Sequence, residues 1–128
     1  MSYNRIRGFR GIVEGKGNML ILPIKKKWFD MILSGEKKEE YREIKPYYIT
    51  RFSKALGFIN CATFVADTEK FINQLRNIGV GGSIFICFRN GYSKDSPSFV
   101  AKCTLSVGTG KKEWGAEPGK EYFVLTVK

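Results

Sequence analysis

Apolar positions along the chain change their spacing several times, and each change marks an element. Residues 19–24, "MLILPI", form a short apolar run and read as a buried strand. Pro23 places that strand's end, or the strand itself, at a sheet edge. Over "KKKWFDMILSG" (25–35) the spacing becomes helical, with Trp28 and Ile32, then Phe29 and Leu33, four apart on one face. Gly35 follows as the expected left-handed cap. "EEYREI" (39–44) then alternates with the period of a strand, which puts Glu40 and Arg42 on one side and Tyr41 on the other. Pro46 ends this strand, and "YYITRFSKAL" (47–56) reads as a loop or short helix, aromatic and basic.

Residues 67–78, "DTEKFINQLRNI", predict a second helix with an apolar stripe of Phe71, Leu75 and Ile78. Asp67 or Thr68 would cap it, and Gly79, Gly81 and Gly82 would stop it. Three strands follow at 83–88, 98–110 and 121–128. They are separated by "RNGYSKDSP" (89–97), with Asn90-Gly91 its strongest turn pair, and by a polar loop (111–120) that carries Trp114. Residues 1–18, broken by Gly8, Gly11, Gly15 and Gly17, read as a flexible extension before one domain over 19–128. The order predicts a mainly β fold, a curled antiparallel barrel with helices around it or plugging one end.

Composition supports one self-sufficient core, since 43% of the 128 residues are apolar and 14% aromatic. No apolar run approaches the roughly 18–20 residues of a membrane span. The glycine-rich start lacks the apolar centre of a signal peptide. The expectation is a cytoplasmic protein with no membrane partner. Cys61, Cys87 and Cys103 are far apart, with no C-x-x-C and no histidine in the chain, so reduced core thiols are expected and no metal or cofactor. Lacking histidine, any catalysis must use Lys, Glu, Asp, Tyr, Thr, Ser or Cys.

Charge narrows the partner class. The chain carries +10 overall. Residues 1–54 hold 13 basic and 6 acidic side chains, a balance of +7, against 9 and 6, or +3, in residues 55–128. Such a balance favours polyanions, nucleic acid first. Lys25, Lys26 and Lys27 stand at the start of the first helix, where cations oppose the helix dipole. A bound phosphate there would relieve the conflict; otherwise the three lysines extend into water. Lys37, Glu40 and Arg42 form a second cluster, either a solvated ion network or a site.

The second cluster carries a resemblance. "LPIKKKWFDMILSGEKKEEYR" resembles the start of an ASCH domain, a member of the PUA-like superfamily whose hallmark is G-x-K-x-x-E-x-R. Gly35, Lys37, Glu40 and Arg42 match all four positions, and the preceding strand and helix match in order. The "RNGY" turn and the "EWGAEPGKEYFVL" end resemble small bacterial and phage versions, so the resemblance covers about residues 19–128. It implies a PUA-like β-barrel that holds RNA or a nucleotide in a basic cleft lined by the motif. Arg42 would fork onto phosphate or a base edge, Lys37 would supply a point charge, and Glu40 would accept from a base amino group. Tyr47, Tyr92 and Trp114 would offer stacking platforms, with Trp28, Tyr41 and Tyr48 as further candidates, and Arg51, Arg89 and Asn90 would complete the contacts.

The alternative within the resemblance is a small metal-independent hydrolase, a ribonuclease or an N4-acetylcytidine amidohydrolase. Lys37, Glu40 and Arg42 would then be catalytic. In the amidohydrolase branch a threonine nucleophile stands where this sequence has Glu40, so a water activated by Lys37 or Glu40 would have to replace it.

Overall fold

An apolar run at Phe99–Ala101 followed by alternation from Ala101 to Val107 drives the longest strand among the described residues. Cys103, Leu105 and Val107 point into the core while Lys102 and the residues between them lie outside or half-buried. In the computed structural model, which describes residues 19–56, 64–77 and 83–128, this strand is β4 (Ser98–Thr109). It pairs antiparallel with β3 (Ser83–Arg89) on one side and β5 (Glu121–Val127) on the other. The two N-terminal strands, β1 (Leu20–Pro23) and β2 (Glu39–Arg42), take the two outer positions, so the order is β1-β3-β4-β5-β2.

The antiparallel expectation holds for four strands and fails for β1, which runs parallel to β3 with Leu20 opposite Ile86. A parallel neighbour needs a crossover, and the chain supplies one through the helices and β2. Instead of a closed barrel, the sheet is a curled half-barrel whose ladder ends at β1 and β2.

Among the described residues three α-helices accompany the sheet. Helix α1 (Lys26–Ser34) buries Phe29 and Ile32 and ends at Gly35, whose φ of 90° is cheap only for glycine. Residues 47–56 settle as helix: α2 (Pro46–Ala55) starts with proline at its first turn and buries Ile49 and Phe52. Helix α3 (Phe64–Asn77) begins before Asp67 and Thr68, so neither is its cap. Phe71 and Leu75 are buried as expected. Residues 1–18, Cys61, Ile78 and the glycines at 79, 81 and 82 lie outside the described residues.

Phenylalanines join the layers. Phe29 and Phe88 both pack on Phe99, and Phe52 packs edge-on against Phe123 with centroids 5.0 Å apart. Cys87 and Cys103 are buried, unbonded thiols, and burial pushes Cys103 up to about 12. Among the described residues, no helix is long and apolar enough to cross a membrane, and no group of three His, Cys, Asp or Glu could hold a metal ion.

Candidate functional site

The site is built from the turn that ends α1. Gly35 reverses the chain, and the amide of Lys37 donates to the Met31 carbonyl at 2.9 Å. That bond aims the Lys37 side chain inward, where the residue is only 1% exposed. Its ammonium donates to the carbonyls of Glu39 and, at 2.9 Å, Trp114. The third partner is Glu40 Oε1 at 3.2 Å. Rings of Trp28 and Tyr41 flank it, with centroids 5.0 and 4.9 Å away. Burial pulls the ammonium below its ordinary pKa, and the Glu40 carboxylate opposes the shift. A lysine has three N–H donors, and all three face acceptors here.

Strand β2 carries the next link. Glu40 and Arg42 are two residues apart and share a face, as the alternation requires. Arg42 Nη2 donates to Glu40 Oε2 at 2.8 Å and to the Pro23 carbonyl at 2.9 Å, while Nη1 donates to the Tyr48 hydroxyl at 3.0 Å. Lys37, Glu40 and Arg42 therefore form one connected chain of charge. Its last member reaches from outer strand β2 to outer strand β1 and spans the gap of the half-barrel. Arg42 Nε is buried and has no hydrogen-bond partner among the described residues.

On the other face of β2, Tyr41 locks the β4–β5 loop. Its hydroxyl donates to Glu39 Oε1 at 2.7 Å and accepts from the Lys111 amide at 2.9 Å. Burial holds the phenol well above its ordinary pKa; the Lys111 amide opposes this, and Glu39 adds to it. The ring presses on the loop so closely that a Cβ on Gly110 would come within 2.5 Å of it. The loop's short 3-10 turn (Lys112–Trp114) is thus held at both ends, by Tyr41 and by Lys37.

Beside this framework lies a cleft of about 540 Å³, within the roughly 300–1,000 Å³ of small-ligand pockets. Glu40 and Arg42 lie in its lining, and five rings, Trp28, Tyr41, Tyr48, Tyr92 and Tyr122, surround it. Lys25 and Asn90 are also in the lining. Lys45 and Glu43 bring an ion pair at 3.5 Å. Within the lining the charges nearly cancel, with Glu40 facing Arg42, Glu43 facing Lys45 and Lys25 left over, while outside it Lys37 and Lys120 pair with the same two carboxylates.

The remaining candidates stand elsewhere. Lys37 lies behind the lining. Lys26 pairs with Asp30 at 2.6 Å on the exposed side of α1, and Lys27 lies over the Trp28 ring. Tyr47 and Arg51 are on the exposed face of α2. Arg89 ends β3 outside the lining. Trp114 contributes its carbonyl to Lys37, while its half-buried ring faces the Lys111 ammonium rather than the cleft. Glu43, Lys45 and Tyr122 were not among the candidates. Only the β2–β5 pairing, Arg42 opposite Phe123, brings Tyr122 to this place. No family model, curated protein or solved structure matches the chain.

Proposed function

We propose that this chain is an ASCH-type RNA-binding domain of the PUA-like kind, and that the cleft takes an unpaired base of a single-stranded RNA. The observation that carries the reading is the lining itself: five aromatic rings around a small cleft in which two of the three lining cations are paired with carboxylates. A phosphate channel would show excess positive charge throughout. This cleft suits a planar, polar, nearly neutral group, with phosphates at Lys25 of the lining, unpaired among the described residues, and at its neighbours Lys26 and Lys27 outside it. Arg42 supports the reading further, because beyond its buried Nε one Nη1 N–H is not placed on the acceptors described above. The linked Lys37, Glu40 and Arg42 and the curled β architecture are in keeping with the motif resemblance.

Lys37 argues for binding over hydrolysis. A general base needs a free lone pair. With acceptors on all three sides, a neutral amine would turn its lone pair toward an oxygen.

The test is fluorescence anisotropy with a labelled single-stranded RNA. Tyr92 is 89% exposed, so Tyr92→Ala leaves the core intact; it should cost about 1–3 kcal/mol of binding. Lys25→Ala should lower the slope of log affinity against log salt by about 0.7. Affinities and slopes unchanged in both variants would remove the cleft from RNA recognition.

A further inference from the structure

We infer that RNA held in the cleft leaves it along α2, over a ladder of Tyr48, Tyr47, Arg51 and Lys54. The inference rests on the RNA reading and extends it from one base to a strand with a defined path.

The ladder starts inside the cleft and is continuous. Tyr48 belongs to the cleft lining. The Tyr47 ring meets the Tyr48 ring edge to face, with centroids 4.9 Å apart and planes at 88°. The Arg51 guanidinium lies 3.6 Å over the Tyr47 ring. Tyr47, Arg51 and Lys54 fall at i, i+4 and i+7, and all three are exposed. The stripe therefore runs for seven residues, about 10 Å at 1.5 Å per residue. That matches about three phosphate spacings of a stacked strand at about 3.4 Å each.

Charge identifies the partner. Helix α2, "PYYITRFSKA", contains no carboxylate. Among the described residues neither Arg51 nor Lys54 meets a carboxylate, whereas Lys26 and Arg76 meet one each and Lys120 meets two. A guanidinium already laid on a ring is a preorganised surface for a base plane or a phosphate fork. An anionic membrane is the competing polyanion. A helix that lies in a membrane needs a free apolar face, and the apolar face of α2, Ile49 and Phe52, is spent on the core. Of the large hydrophobic residues that are exposed, only Tyr47 lies on this helix among the described residues.

The experiment compares wild type, Tyr47→Ala and the double variant Arg51→Gln/Lys54→Gln against three probes. These are a labelled mixed-sequence RNA decamer, the four nucleoside 5′-monophosphates, and vesicles of phosphatidylserine and phosphatidylcholine. The expected result for the decamer is a salt slope lower by about 1.4 in the double variant, two contacts at about 0.7 each. Over a fourfold rise in salt, wild type then loses about sevenfold more affinity than the double variant. Tyr47→Ala should bind the decamer about fivefold more weakly or worse, the lower end of the range for one stacked base. Monophosphate binding should be the same in all three proteins. Unchanged decamer affinity and slope, with monophosphates still bound, would overturn the path and leave the cleft reading standing. If neither the decamer nor any monophosphate binds wild type, the cleft reading fails and the path falls with it. Vesicle binding lost in the double variant, with decamer binding unaltered, would assign the stripe to a membrane surface and overturn the inference.

Discussion

Replacing Lys37 with methionine separates a structural lysine from a catalytic one. Methionine keeps the length and apolar stem of the side chain and removes only the ammonium. Three contacts are lost at once: the carbonyls of Glu39 and Trp114 and one oxygen of Glu40. Arg42 still neutralises the other Glu40 oxygen at 2.8 Å, so the carboxylate keeps one cation. The Lys37 side chain has no exposed surface, so water cannot simply replace it. Removing one partner of a buried pair costs about 3–5 kcal/mol, a large share of the roughly 5–15 kcal/mol that holds a domain folded. Part of that cost is offset, because a buried ammonium no longer has to be desolvated. We therefore expect a loss of about 3 kcal/mol, read as a lower midpoint in urea at unchanged m-value. The same variant should raise hydrogen exchange at Lys111 and Ala116, since the 3-10 turn loses its anchor at Trp114. A midpoint equal to or above wild type would refute the reasoning and return Lys37 to the list of groups held for chemistry.

Gly35→Ala should destabilise by about 1–2 kcal/mol in the same urea assay, because φ of 90° is strained for alanine even though a Cβ would meet nothing within 4 Å. An unchanged midpoint would mean that the turn relaxes. Stability should fall as pH rises from about 9 toward 12, because the folded state keeps Cys103 protonated up to about 12 while the unfolded chain loses that proton near 9.0. Urea midpoints across this range should decline less steeply in Cys103→Ala, and parallel declines would exclude the thiol as a cause.

Local periodicity made the path to the site legible. The i, i+4 pairs of "WFDMILSG" and its terminal glycine specify α1 and its stop, and the alternation of "EEYR" specifies that Glu40 and Arg42 share a face. What periodicity cannot carry is a partner far away in the chain. One of the three acceptors that hold Lys37 is a backbone carbonyl 77 residues on, and a carbonyl has no residue type to recognise. Lysine is also rarely buried, so composition argues for solvent at that position. Tyr122 carries no local signal for a similar reason: its place in the cleft depends on the register of β2 against β5. Helix α2 was readable only in part. Proline at its first turn is a start signal, but tyrosine, isoleucine, threonine and phenylalanine are middling helix formers whose burial decides the matter. The parallel pairing of β1 with β3 had no local signal, since both strands are short apolar runs that would fit either direction.

The strand order also fixes a sequence of events during synthesis. Strand β1 pairs with β3, and β2 pairs with β5, so neither early strand has a ladder partner until the later meander is made. The first half of the domain leaves the ribosome without the backbone contacts that would let it settle. Strand β1 (Leu20–Pro23) waits for β3, which starts at Ser83, and β2 (Glu39–Arg42) waits for β5, which starts at Glu121. Loop closure over those distances must precede the gain, which raises the contact order of the fold and predicts slower folding than a fold of local pairings. Arg42 can span the gap to Pro23 only after both outer strands have docked, so the same side chain that lines the cleft is among the last to find its place.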